Sequence, residues 1–165
     1  MTTTHDPDAG RVPTFVAPPN ACDAHFHVFG PAGRYAYASD LRYAPPEAPL
    51  AAYLELSRKL GIERYVFVQP SAYGFNNDCM LDTMRQIDPN IRRGIVDIDE
   101  TTISDAALDE LDELGVRGIR VNVSPVRKPE AGLADSMKPR IARLTYAMNR
   151  LRSGNTTSGR PASSA

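Results

Sequence analysis

The residues best equipped for chemistry in this chain are two histidines two positions apart, His25 and His27, in the stretch CDAHFHVFG. Cys22 to Phe29 mixes apolar residues with Asp23, His25 and His27, which predicts a short strand. On a strand, side chains two apart project to the same side, so the two imidazoles converge. Converging imidazoles can hold a divalent metal such as zinc, or polarise a carbonyl. Taken alone, His-x-His also fits two satisfied or exposed histidines. Its place on the first strand of a repeating array, just after Asp23, favours a functional pair.

Three further residues carry chemistry-bearing groups. Arg120 lies in VRGIRVNV, an otherwise apolar strand. A guanidinium there is costly unless it is paired, so it either serves an inner-face role or forms an ion pair with Asp97 or Asp99 of the neighbouring strand. Its planar fork suits a carboxylate, to which it can donate two parallel hydrogen bonds. Ser71 follows the strand RYVFVQ and Pro70, where it is equally a turn residue. Cys79 has no histidine placed to activate it and reads as an inert buried thiol.

These residues need a scaffold, and the chain repeats one. Leu50, Tyr53, Leu54 and Leu60 recur at helical spacing, with Gly61 as the C-terminal cap. Arg64 to Gln69 forms a buried strand stopped by Pro70. Asn76 or Asn77 caps a helix carrying Met80, Leu81, Met84 and Ile87. The next strand falls within 91–98. Ser104 caps a third helix, with Ile103 and Leu108 as a hydrophobic staple, and Gly115 ends it. Residues 116–123 form a fourth strand and 134–144 a fourth helix. Leu60-Gly61-Ile62 and Leu114-Gly115-Val116 open the same order of helix, glycine, apolar residue and strand. This alternation predicts an α/β fold with parallel strands and right-handed crossovers. No Gly-rich phosphate loop follows the first strand, as a dinucleotide-binding sheet would require.

Composition narrows the function classes. The chain has 165 residues, 42% hydrophobic and 24% charged, with a formal net charge of -1. Those values are ordinary for one globular domain. Near-zero charge, no Trp and no basic stripe give nucleic acid no support as a partner. No apolar run approaches the ~20 residues that span a bilayer, so a membrane is not expected either. Residues 1–20 lack the pattern of a signal peptide and read as a flexible leader. Cys22 and Cys79, far apart and without a secretory signal, indicate a cytoplasmic protein with no disulfide.

Four stretches in order carry a family likeness: CDAHFHVFG, RYAPPEAP (42–49), GIERYVFVQPSAYGFNNDCMLD (61–82) and GVRGIRVNV (115–123). Together they resemble the amidohydrolase-related family, in its lactone-hydrolysing branch that includes 2-pyrone-4,6-dicarboxylate hydrolases. The resemblance implies a (β/α)₈ barrel with its site at the C-terminal ends of the strands. It implies catalytic roles for His25 and His27, which are also the tentative metal ligands. It implies substrate contacts from Tyr43 and carboxylate binding by Ser71 and Arg120, with Arg127 as a looser match to a second arginine. The implied partner is a small dicarboxylate lactone. Read from the residues alone, Tyr43 equally fits a loop residue packed on the barrel rim.

The resemblance covers about residues 20 to 144, which is a partial barrel of four βα units. The family's later histidines and its water-activating aspartate have no counterpart, since His5, His25 and His27 are the three histidines present. Residues 145–165 are expected to be a divergent, disordered tail, consistent with a frameshift or truncation near Leu144. Three alternatives follow: a lactone hydrolase, a non-catalytic fragment keeping part of an anion or metal site, and a self-associating half-barrel, a homo-oligomer.

Overall fold

The computed structural model describes residues 14–39, 41, 45–121 and 133–152, with the side chains of 133–141 and Arg152 left out of that description. Four parallel strands lie side by side in sequence order: β1 (Cys22–Phe26), β2 (Arg64–Val68), β3 (Arg92–Val96) and β4 (Val116–Ile119). Helix α1 (Leu50–Leu60) joins the first two strands, α2 (Asp78–Met84) follows β2, α3 (Asp105–Leu114) precedes β4, and α4 (Leu133–Arg152) follows it. This is the arrangement of four consecutive units of a (β/α)₈ barrel.

The helices start and stop where local chemistry dictates. Ser104 Oγ accepts from the Ala107 N–H at 3.2 Å, capping α3. Gly61 and Gly115 end α1 and α3 at φ 74° and 98°, a left-handed backbone that suits residues without a Cβ. Asn77 precedes α2, but its side chain does not cap it. Its amide instead donates to the Asp97 carbonyl at 2.8 Å and accepts from the Asp97 N–H at 3.2 Å. The loop before α2 is thereby tied to the end of β3.

Between sheet and helices lies the core. Phe26, Tyr65, Phe67, Met80, Met84, Val96, Leu108 and Val116 are all buried there. Phe26 stacks on Tyr53 of α1 at 3.9 Å, and the Ser57 hydroxyl of α1 bonds the Tyr65 hydroxyl at 3.2 Å. The segment expected to be a long loop, 30–49, has no helix or strand among its described residues. It is nevertheless pinned: Phe29 bridges to Ala48, and Arg34 and Tyr35 both reach the Asp82 carboxylate of α2, at 2.8 and 2.9 Å.

Helix α4 departs from expectation. It was expected to stop at Leu144 with a disordered tail from 145, yet the helix runs on to Arg152. Ala147 and Leu151 are buried, and α4 packs on α3 and β4. The spacing of Leu144, Ala147 and Leu151 places them on one helical stripe. Arg150, on a neighbouring face, grips both Asp109 oxygens at 2.8 and 2.6 Å. Interspersed Arg and Asn had masked this period in the sequence. Among the described residues no helix is long and apolar enough to cross a membrane.

Candidate active site

Two irregularities in strand pairing decide which side chains reach the inner face of the sheet, opposite the helices. In β1, Asp23 pairs with Tyr65 and Phe26 pairs with Phe67. Three steps on β1 therefore match two on β2, a β-bulge with one extra residue. Asp23 stays on the helix side, where its Oδ2 accepts from the Tyr53 hydroxyl at 2.7 Å. Phe26 faces the same way, stacked on Tyr53. His25 and His27, flanking Phe26, are turned to the inner face.

In β4 the second bulge does the same for Arg120. Gly94 pairs with Val116, but Ile95 pairs with Gly118. A Cβ on Gly94 would meet Met84 and Val116, whereas one on Gly118 would meet Ile95, so Val116 and Gly118 face opposite sides. The extra residue, Arg117, sends its guanidinium to the Asp112 carboxylate of α3 at 2.7 Å. Without it, Arg120 would share the helix-facing side of Val116. With it, Arg120 lies on the inner face, and its Nη1 donates to the Gln69 carbonyl at 2.8 Å.

His25 and His27 stand edge to face, with ring centroids 5.0 Å apart. His27 Nδ1 lies 2.8 Å from the Val68 carbonyl. A carbonyl only accepts, so Nδ1 carries the proton and Nε2 presents its lone pair. Burial lowers the His27 pKa; the Val68 contact opposes that, while the charges of His25 and Arg120 add to the lowering. The imidazole is thus kept neutral, and Arg120 is close enough for its charge to be felt there.

The structure brings together His25, His27 and Arg120. Ser71 opens a single 3-10 turn, Ser71–Tyr73, two residues beyond Gln69, at the same C-terminal end of the sheet. Tyr43 and Arg127 lie outside the described residues. Cys79 is a buried free thiol and Cys22 an exposed one. Gln69 was missed by sequence reasoning. It is 1% exposed, its carbonyl holds Arg120, and its Nε2 donates to the carbonyls of Gly74 and Asn76 at 3.1 and 2.7 Å. Those bonds shape the turn that carries Ser71. The signal was a glutamine ending an otherwise apolar run.

For a metal, the donor set falls short among the described residues. No third His, Cys, Asp or Glu clusters with the two imidazoles, whereas zinc takes three or four protein ligands. What this face offers by itself is a neutral imidazole acceptor, a second imidazole and a guanidinium.

The family model described as Amidohydrolase matches residues 22–151. The 4-sulfomuconolactone hydrolase of Rhizobium radiobacter is 38% identical over 112 residues, 68% of this chain and 37% of that protein. The 2-pyrone-4,6-dicarboxylate hydrolase of Comamonas testosteroni is 38% identical over 110 residues, 67% of this chain and 35% of that protein. The chain therefore spans little more than a third of the length of these curated relatives. A crystal structure described as a probable 2-pyrone-4,6-dicarboxylic acid hydrolase of Acinetobacter baumannii, with citric acid bound, superposes with a TM-score of 0.60 at 25% identity. That match covers 82% of this chain and 47% of the other. A parallel βα array whose first strand turns two histidines inward, matched by the family model from β1 to the end of α4, places the chain in the amidohydrolase family.

Proposed function

We propose that this chain carries the carboxylate-anchoring and imidazole-bearing part of a site that hydrolyses lactones of small dicarboxylates, such as 2-pyrone-4,6-dicarboxylate. The observation behind this reading is that His27 and Arg120, from strands at opposite edges of the sheet, share its inner face at the C-terminal ends. The relatives named above act on lactones, which supports the substrate class.

Each side chain then has a role that its geometry permits. Arg120, steadied through one nitrogen by the Gln69 carbonyl, binds a substrate carboxylate with its remaining donors. Ser71 adds a hydroxyl at the same end. His27, neutral with its Nε2 lone pair available, accepts a proton from water or orients it toward the lactone carbonyl. His25 supplies a second imidazole beside the reacting carbonyl. Tyr43 and Arg127 are proposed as further substrate contacts on the family pattern.

The test is hydrolysis of 2-pyrone-4,6-dicarboxylate by the full chain, followed by loss of pyrone absorbance. Turnover abolished by His27→Ala is the expected result. Absence of turnover in the full chain, or turnover unaffected by His27→Ala, contradicts the reading.

A further inference from the structure

Asp23 does two things at once. Its Oδ1 accepts from the His25 backbone N–H at 2.9 Å, and its Oδ2 accepts from the Tyr53 hydroxyl at 2.7 Å. The first contact lies at the β1 bulge, where the strand register gives Ala24 and His25 no partner on β2. A bulge removes a residue from the ladder and leaves its N–H in need of an acceptor. Asp23 supplies that acceptor from within the same strand. The second contact anchors the bulge to α1, because Tyr53 is held in turn by its stack on Phe26, 3.9 Å away and within 6° of parallel. Burial and the Asp23 carboxylate both push the Tyr53 hydroxyl above the ordinary phenol range, so it remains a donor.

We propose that Asp23, braced by Tyr53, is a positioning residue: it holds the β1 bulge that turns His25 and His27 together onto the inner face. The proposal rests on the reading of that histidine pair as functional. It gives Asp23 a role distinct from any direct one, since its carboxylate points to the helix layer and not to the imidazoles' side of the sheet. If the bulge relaxed into regular pairing, the side of the sheet occupied by successive β1 residues would switch, because strand side chains alternate with period two. His25 and His27 would still lie on one side together, but on the helix side, and Phe26 would leave its stack on Tyr53 for the inner face.

The consequence is open to direct observation in the full chain by NMR. The His27 ring, whose Nδ1 lies 2.8 Å from the Val68 carbonyl of β2, should show an NOE across the strands to the Val68 Hα and Gln69 N–H protons. In Asp23→Ala that NOE is expected to vanish, while the β2–β3 backbone NOEs persist. Asp23→Asn is the conservative rescue: its amide oxygen still accepts from the His25 N–H, and its NH₂ can donate to the Tyr53 oxygen, so the NOE is expected to survive. Tyr53→Phe keeps the stack on Phe26 but loses the hydroxyl, and the NOE is expected to weaken. If Asp23→Ala does not fold, the Asn and Phe variants decide. An undiminished NOE in Asp23→Ala, or in Tyr53→Phe when the alanine variant does not fold, overturns the proposal. Turnover is not the readout, so a chain that fails to hydrolyse the pyrone yet follows this NOE pattern would sink the functional reading and leave the positioning role standing.

Discussion

Arg120, at the end of β4, is held by the carbonyl of Gln69 at the end of β2, so its guanidinium spans β3 across the inner face of the sheet. That reach requires the bulge at Arg117, and the bulge in turn requires room where β3 and β4 meet. Gly94 supplies the room: a Cβ there would come 2.7 Å from Met84 Sδ and 3.3 Å from Val116 Cγ2, whereas one on Gly118 would make only an ordinary contact with Ile95 at 3.4 Å. The placement of Arg120 is therefore a property of three adjacent strands and not of one arginine.

Gly94→Ala should destabilise the chain without unfolding it. The added methyl meets the flexible end of Met84, which must shift within a packed core. Overpacking of this kind costs about 1–3 kcal/mol. Urea denaturation should show a lowered midpoint; an unchanged midpoint would mean that Met84 moves aside freely.

Leu151→Ala tests whether the last turns of α4 belong to the fold. Leu151 is fully buried, and removing such a side chain costs about 2–5 kcal/mol. A loss of that size in denaturant melts is expected. A variant as stable as the parent would mean that the end of α4 does not pack as described.

Stability should fall as the pH drops below neutrality, in part through His27. Its folded pKa lies below the ordinary imidazole value of 6.5, chiefly because it is buried. The folded ring therefore stays neutral while the unfolded ring gains a proton. The contribution is complete above pH 6.5 and is lost as the pH falls from there to the folded pKa. His27→Gln, which can still donate to the Val68 carbonyl, removes this term. Its stability measured from pH 8 to pH 5 should fall less steeply than the parent's, and parallel curves would contradict the assignment.

How much of this was legible from residue order differs by element. The strand and helix order was plain, because Gly61, Gly115 and Ser104 mark boundaries that follow from backbone geometry and capping. The two histidines were also visible as a pair. The reason they face inward was not, since a bulge depends on pairing between strands and leaves no local period. Asp23 shows the consequence: it precedes the pair in sequence, yet it belongs to the helix layer through Tyr53. Tyr53 itself looked like one more apolar residue on a helical stripe. Arg120 was flagged because an arginine in an apolar strand needs a partner, but that its partner is a carbonyl two strands away depends on tertiary structure. The end of α4 was missed because Arg150, which interrupts its apolar pattern, is satisfied by Asp109 of α3, a contact that residue order does not show.

The most direct test of the account is equilibrium binding of 2-pyrone-4,6-dicarboxylate to the full chain and to Arg120→Ala, measured by titration calorimetry. A hydrogen-bonded pair with a charged group contributes about 1.5–3 kcal/mol, so the substitution should weaken binding by roughly 10- to 100-fold. Equal affinity in the two proteins would contradict the central claim that the inner face presents Arg120 to a substrate carboxylate.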